Sequence, residues 1–179
     1  KLPDFLKQQL NEKKGNVIEI ARDWTGFKNE LKPIEEYHFA ESDGKKIGEH
    51  NGAHFYTIGQ RKGLNIGGHV NPLFIIQINT ETNTVYVGEG EDHKGLHRPG
   101  LLIKNEDIHW LKKVDELTIG ESKRYEIRIR YRQPLSGATL IKTENGLEMH
   151  FDALKSAVAK GQFAAWYDGD VLVGSGVIS

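Results

Sequence analysis

Cysteine is absent from this chain of 179 residues. Its absence excludes disulfide bonds, zinc sites built from thiolates, and any thiol or persulfide nucleophile within the chain. Methionine occurs once, as Met149, so the sequence does not open on an initiator methionine. The first residues instead read as part of a helix already under way. We therefore expect a piece of a longer protein, the alternative being a complete protein with a processed start.

Long apolar runs and an excess of charge of one sign are also missing. No run approaches the roughly 20 residues that a membrane helix needs, and the opening KLPDFLKQQL lacks the features of a signal peptide. We therefore expect a cytoplasmic protein without membrane contact. Lysine and arginine number 24 against 25 acids, for a net charge of -1. This balance argues against a strongly basic nucleic-acid binder, so any contact with an anion must come from a local patch.

The sequence pattern predicts a mainly β fold. A short helix is expected over residues 3–10 and a strand over 16–20, followed by a long excursion at 21–42 with room for one strand or a short helix. From Asp43 onward, short runs alternate with Gly, Asn and Asp, which favours a small closed barrel over a sandwich of long strands. The strands expected there cover residues 45–50, 74–79, 84–90, 124–133, 138–143, 147–151, 163–169 and 171–179.

The division into two halves is predicted after residue 70. The glycine-rich stretch 59–68 and the following Asn71-Pro72 form the most natural boundary in the chain. We therefore expect one domain over residues 1–70, in which the excursion 21–42 is inserted, and a second domain over residues 71–179.

The segment HNGAHFYTIGQRKGLNIGG, residues 50–68, combines glycines with an Arg-Lys pair and no acid. It has the spacing of neither a P-loop nor a dinucleotide-binding fingerprint. Its glycines predict tight or left-handed turns that place Arg61 and Lys62 at an exposed tip. Such a loop can hold a phosphate through backbone N–H groups. An irregular loop with a structural role is the alternative. The glycines concerned are Gly59, Gly63, Gly67 and Gly68.

A second basic feature is the run KRYEIRIRYRQP, residues 123–134. In a regular strand alternate side chains share a face, so four arginines would line one side and two tyrosines and two isoleucines the other. Guanidinium groups in such a row suit phosphate, which they bind through paired hydrogen bonds. The alternative is a solvated face paired with acids on neighbouring strands. The arginines are Arg124, Arg128, Arg130 and Arg132.

The histidines do not predict a metal site. His50 and His54, like His93 and His97, stand four residues apart, but both pairs lie in glycine-rich segments that form poor helices. We therefore expect structural or surface histidines and no bound metal. No catalytic residue is expected either, because Ser175 in VGSGVIS does not complete a Gly-x-Ser-x-Gly elbow.

The stretch GKKIGEHNGAHFYTIGQRKGLNIGG, residues 44–68, resembles a signature of the tRNA-specific 2-thiouridylases, the MnmA/TrmU family, with the pattern G-x-H-x-G-x-x-x-Y-T-I-G-Q-R-K-G-L-x-I-G-G. PDFLKQQL resembles the helix after the second catalytic cysteine of that family. RIRYRQP resembles its R-Y-R-Q strand, and KGQFAAWYDGDVLVGSGVIS its C-terminal segment. Two departures stand out: residues 21–42 resemble an insertion, and Lys160 replaces the customary proline before Gly161-Gln162.

The resemblance implies an enzyme that activates the wobble uridine of tRNA with ATP and then replaces O2 with sulfur from a persulfide donor protein. The ATP and Mg²⁺ site and both catalytic cysteines of the family would lie upstream of this chain. The chain itself would then hold no cofactor, and its lack of cysteine is explained. By resemblance it comprises a small SH3-like central barrel with a short N-terminal helix, followed by an antiparallel β-barrel like those of translation factors.

The resemblance also implies which residues contact tRNA. Arg130 and Tyr131 match the R-Y-R-Q strand, and Gln162 matches the Gly-Gln turn. Tyr131 would point away from Arg130 in a regular strand, so both reach RNA only if the strand bends or ends near Pro134. Arg61 and Lys62 are expected to lie near the missing catalytic domain, against it or the tRNA backbone.

A second interpretation gives these barrels a different main role. They would serve as a docking platform for the sulfur-donor protein, or for self-association, rather than as the main tRNA grip. Apolar side chains exposed in the inserted segment would favour this reading. The candidates are Trp24, Phe27 and Tyr37.

Overall fold

β-Strands carry most of the regular structure in a computed structural model that describes residues 12–131 and 133–179. These residues form two units: one holds the described residues up to Asn29 together with Tyr37–His97, and the other holds Glu30–Glu36 together with Arg98–Ser179. The helix predicted over residues 3–10 lies outside the described residues. The helical elements within them are single 3-10 turns of three residues each. Among the described residues, no helix has the length and apolar character to cross a membrane.

The first unit is built on a four-stranded sheet with the order β2-β1-β4-β3. Pairing is antiparallel between β1 and β2 and between β3 and β4, but parallel between β1 and β4. Alternate positions supply a core that includes Val17, Ile75 and Val87, all fully buried. The strands are β1 (Gly15–Glu19), β2 (Lys45–His50), β3 (Leu73–Asn79) and β4 (Thr84–Glu89).

The first unit extends past the boundary predicted between residues 70 and 71. β3 and β4 follow that point in sequence, but they complete the sheet that β1 and β2 begin, since β4 pairs with β1 from Asn16↔Thr84 to Glu19↔Val87. The division therefore lies after His97. A parallel pair between distant segments leaves no local mark in the sequence, whereas the glycine-rich stretch 59–68 is a strong local break inside one unit.

The second unit is a seven-stranded, curled antiparallel sheet with the order β5-β9-β8-β7-β10-β11-β6. Its concave side is filled by apolar side chains that include Leu101, Ile127, Leu140, Met149 and Trp166, all at most 1% exposed. The strands are β5 (His97–Lys104), β6 (Ile108–Trp110), β7 (Ser122–Arg128), β8 (Ser136–Thr143), β9 (Gly146–Ser156), β10 (Phe163–Asp168) and β11 (Val171–Val177).

The predicted mainly β architecture is confirmed, and each predicted strand overlaps an observed one. Two strands have no counterpart in the prediction. β5 contains Pro99 and Gly100, which read as breakers, and β6 has only three residues, too few to show an alternation. The strand predicted over 124–133 ends at Arg128, and residues 21–40 contain neither strand nor helix.

Candidate nucleic-acid interface

The end of β7 brings Arg130 and Tyr131 to the surface of the second unit. The strand ends at Arg128, the backbone bends at Ile129 and Arg130, and it turns at Tyr131. Ile129 is buried, whereas Tyr131 is 86% exposed. The strand thus ends before the point at which alternation would force the two side chains apart. Strand alternation therefore does not exclude a common ligand, and contact of both residues with tRNA stays a prediction.

Arg130 is tied to the segment that leads into the Gly161-Gln162 turn. Its Nη2 donates a hydrogen bond of 2.7 Å to the carbonyl oxygen of Ala157, and the guanidinium is partly buried there. Ala157 has φ +57°, a left-handed conformation that costs about 1 kcal/mol for a residue other than glycine. The following Val158 and Ala159 are buried. Arg130 therefore helps to hold a strained backbone segment in place.

The Gly161-Gln162 turn is fixed by its own backbone. Gly161 has φ +80°, and its N–H donates to the carbonyl of Ile178 at 2.8 Å. The N–H of Ile178 donates in return to the carbonyl of Gln162, also at 2.8 Å. The segment from Ala157 to Gln162 is thus held at both ends, by Arg130 and by the end of the chain. The three residues implied to contact tRNA belong to this one connected structure.

Lys160 lies in the same turn and contacts the inserted segment. Its Nζ is 3.4 Å from Oε2 of Glu36, whose Oε1 is 2.9 Å from Nη2 of Arg98. Arg98 and Glu36 are 12% and 22% exposed in their side chains, while Lys160 is 62% exposed. The two departures from the family pattern, the insertion and the lysine in place of proline, therefore meet at Glu36.

The row of arginines on β7 does not form a continuous phosphate-binding face. Arg124 makes a two-pronged ion pair with Asp152, whose Oδ1 lies 2.8 Å from Arg124 Nη1. The Arg128 guanidinium lies 5.8 Å from the centre of the Tyr167 ring. Arg124 therefore fits the alternative interpretation, in which the arginines of the strand pair with acids on other strands. Arg132 lies outside the described residues.

Phe163 is a surface residue that the sequence analysis missed. It is the first residue of β10, directly after Gln162, and its side chain is 65% exposed. Ala164 and Trp166 are fully buried, so alternation turns Phe163 outward. The signal was present in the sequence, since Trp166 is the natural core residue of FAAWYD and fixes the direction of its neighbours.

The glycine-rich loop is held by hydrogen bonds within itself and to β3. Gln60 accepts from the N–H of Thr57 at 3.2 Å and donates from Nε2 to the carbonyl of Lys62 at 2.7 Å. The loop also pairs with β3, through Gly59 N–H to Ile75 O at 2.7 Å, and Leu64 is buried. The prediction of left-handed turns is confirmed at Gly59, Gly63 and Gly68, whose φ angles are positive, but not at Gly67. Arg61 and Lys62 are exposed, as predicted. Contact of this tip with phosphate stays a prediction.

Two of the paired histidines are structural, as expected. His93 is 1% exposed; the N–H of Gly95 donates to its Nδ1 at 3.2 Å, so in the neutral ring Nε2 carries the proton and donates to the carbonyl of Ile20 at 3.1 Å. His50 is buried too, and accepts from the N–H of Gly52 through Nδ1 at 3.0 Å. Both rings bind backbone.

These buried histidines make the stability of the first unit depend on pH. Burial lowers the pKa of His93 and of His50, so the folded state keeps them neutral where the unfolded chain takes up protons. A histidine whose pKa is lower in the folded state than in the unfolded chain contributes fully to the free energy of unfolding at a pH above its unfolded pKa. That contribution is lost as the pH falls towards its folded pKa. We expect the free energy of unfolding to drop, below about pH 6.5, by up to about 1.4 kcal/mol per pH unit for each histidine.

Chemical denaturation between pH 7.5 and 5 measures this drop. His93→Gln should lower the overall stability but flatten its pH dependence, whereas His54→Gln, which changes an exposed ring, should leave the slope as it is. If the free energy of unfolding of His93→Gln and of the unchanged chain depended equally on pH, His93 would not be a source of the pH dependence.

A cluster of possible metal ligands in the first unit also escaped the sequence analysis. Ligand atoms of Glu19, His69 and Glu89 all lie within 4.8 Å of one another. His69 Nε2 is 3.2 Å from a Glu19 carboxylate oxygen, and Glu89 accepts from the N–H of Asn71 at 2.7 Å. A metal-bound histidine normally donates its second N–H, but Nδ1 of His69 is buried and has no partner among the described residues. The arrangement fits a His–Glu hydrogen bond better than a metal centre.

The aromatic side chains of the insertion do not form an exposed apolar surface. The Trp24 ring packs edge to face on Phe27 and on Phe39, at 5.1 Å between centroids in each case, and Phe27 packs on Tyr37 at 5.0 Å. Phe27 also contacts the ring of His93 at 5.4 Å. The three rings are half-buried and pack on one another and on the buried Phe39. A docking role for this segment stays a prediction.

Two family models match the chain in succession. The first, described as the tRNA methyl transferase PRC-barrel domain, matches residues 3–89, and the second, described as the aminomethyltransferase beta-barrel domain, matches residues 101–178. The first match ends with β4 and the second begins within β5. The two matches follow the two units of the structure.

Curated relatives match the whole chain. Proteins named tRNA-specific 2-thiouridylase MnmA from Christiangramia forsetii and Flavobacterium johnsoniae are 41% and 42% identical over 190 residues, covering 100% of this chain and 48% of each relative. One of the same name from Karelsulcia muelleri is 44% identical over 181 residues, covering 100% of the chain and 47% of the relative. The chain thus spans about half the length of the curated relatives it matches. With both domain models matched in order and every residue aligned to these relatives, the chain belongs to the family of the tRNA-specific 2-thiouridylases.

Proposed function

We propose that this chain is the tRNA-binding and positioning part of an ATP-dependent enzyme that thiolates C2 of the wobble uridine. ATP with Mg²⁺ and the catalytic cysteines would belong to a preceding domain, and a persulfide-carrying protein would supply sulfur in the cytoplasm. The relatives named tRNA-specific 2-thiouridylase support the reaction. The observation that supports the binding role is the bond from Arg130 to Ala157, which joins the Arg130-Tyr131 turn to the segment that leads into Gln162.

The chain's contribution would be positioning. Contacts to phosphate and sugar fix the register and orientation of a nucleic acid, and holding a reactant in place removes much of the entropic barrier of a later step. Arg130 offers a positive charge, Tyr131 an exposed ring with a hydroxyl, and Gln162 an amide. An arginine carries five N–H donors, so the bond to Ala157 is compatible with a phosphate contact.

The charge of Arg130 is tested by the salt dependence of tRNA binding. Arg130→Gln keeps an N–H donor for the carbonyl of Ala157 but removes the positive charge. We expect the slope of log affinity against log salt concentration to flatten by about 0.7 to 0.9, the value of one phosphate contact. Fluorescence anisotropy with labelled tRNA between 50 and about 300 mM salt measures the slope.

Arg124→Gln is the matched control, because it removes one positive charge from β7 at a side chain that binds Asp152 and, among the bonds of the described residues, has none to the segment of Ala157 and Gln162. Its slope should stay close to that of the unchanged chain. Equal slopes for all three proteins would remove Arg130 from the interface, and equal flattening by both variants would mean that only the net charge matters.

A further inference from the structure

Phe163 stands out on the outer surface of the second unit. Its ring is 65% exposed between Gln162 and the buried Ala164. A phenylalanine ring has no polar atom with which to use this exposure, and leaving apolar area in water is unfavourable. Most of the surface of Phe163 is therefore open to a ligand.

Phe163 shares its face of β10 with Ala165 and Tyr167, and Val177 lies opposite it on β11. Ala165 lies opposite Arg128 in the antiparallel register with β7, so Phe163, two residues earlier, lies near the point at which the chain leaves β7. Tyr167, two residues beyond Ala165, carries the Arg128 guanidinium over its ring. Glu126, opposite Tyr167, is an acid on this face and lies at the end away from Phe163. An exposed ring near arginine side chains suits unpaired nucleotides.

We propose that Phe163 is a stacking platform for an unpaired base of the tRNA, next to the phosphate and sugar contacts of Arg130 and Gln162. This inference rests on the proposed function, because it needs RNA on that surface. The ring follows Gln162 directly in sequence, and Gln162 is fixed by backbone hydrogen bonds to Ile178. A ring held beside this turn would stack on bases that are turned out of a helix. The bases of a paired stem are not turned out in this way.

Binding of the 179-residue chain to tRNA tests the platform. Phe163→Ala should weaken binding by about 5- to 150-fold, the range for loss of one base–aromatic stack, and leave the salt slope unchanged. Phe163→Leu should weaken it similarly, since it keeps apolar bulk without a ring, whereas Phe163→Trp should bind as tightly as the unchanged chain. Affinity for a blunt RNA duplex should be the same for all of them.

Leu154→Ala is the control for loss of an exposed apolar side chain, because Leu154 is 63% exposed in the same unit but on β9. It should bind tRNA as the unchanged chain does, and thermal unfolding should show all variants folded. Undiminished binding by Phe163→Ala overturns the inference, and so does undiminished binding by Phe163→Leu, which would make the contact merely apolar. If Arg130→Gln flattens the salt slope while Phe163→Ala has no effect, the proposed function stands and the stacking role falls. A chain that binds no tRNA overturns both.

Discussion

Glu36→Ala should lower the free energy of unfolding of the second unit by about 3 to 5 kcal/mol, the usual cost of removing one partner of a buried ion pair. Glu36 lies 2.9 Å from the Arg98 guanidinium, and both side chains are largely buried. Nε of Arg98 is already buried without a hydrogen-bond partner among the described residues. Loss of the carboxylate would leave an uncompensated charge away from water.

The measurement is chemical denaturation followed by tryptophan fluorescence. In a Trp24→Phe background the remaining tryptophans, Trp110 and Trp166, both report on the second unit. Lys160→Ala is the matched control, since it removes the exposed partner of the same carboxylate and should cost less than about 1 kcal/mol. Combining Glu36→Ala with Arg98→Met should recover most of the loss. If Glu36→Ala and Lys160→Ala lowered the free energy of unfolding equally, the buried pair of Glu36 with Arg98 would not be the main source of the stabilisation.

Gly174→Ala should destabilise the second unit by about 3 kcal/mol, at the upper end of what an extra methyl group costs in a packed core. A Cβ at this position would overlap the indole of Trp166 and lie 2.6 Å from the carbonyl oxygen of His109. Trp166 is fully buried and packs edge to face on Trp110, so it has little room to move. β6, β10 and β11 would be pushed apart.

Ser175→Ala is the control for Gly174→Ala, one residue away on the same strand. It should change stability by less than about 1 kcal/mol and leave thiolation by a protein that includes this chain unaffected. The pair of variants also decides what the sequence VGSGVIS is for. If the glycine matters and the serine does not, the segment is a packing motif around Trp166 and has no part in nucleophilic chemistry.

The sequence predicted local structure well. β2 occupies residues 45–50 as expected, because its flanking turn and short run are local signals. The exposure of Arg61 and Lys62 could be predicted because the glycines around them indicate a tightly turning backbone, which places the residues between them at the surface. The direction of Phe163 was equally readable from the alternation of FAAWYD, although the sequence analysis did not use it.

What the sequence could not predict depends on contacts between distant segments. Nothing near Glu36 indicates that it meets Arg98 and Lys160, and nothing near β1 indicates that β4 lies beside it. The arginine row on β7 shows the same limit, since its interpretation depended on whether an acid such as Asp152, two strands away on β9, came within reach of Arg124. The resemblance implied roles for Arg130, Tyr131 and Gln162 one by one, but the hydrogen bond that joins Arg130 to the segment of Gln162 has no mark in the sequence.

The connection between β1 and β2 is long for two strands that lie side by side. It runs from residue 20 to residue 44 and contains the whole inserted segment, while the two strands it joins pair directly. The entropy lost on closing a loop rises only with the logarithm of its length, about 0.6 kcal/mol for each doubling. Lengthening this connection therefore adds little to the entropic cost of bringing β1 and β2 together, whereas the ordering of the added residues has to be offset by contacts of their own, such as the packing of Trp24 on Phe27.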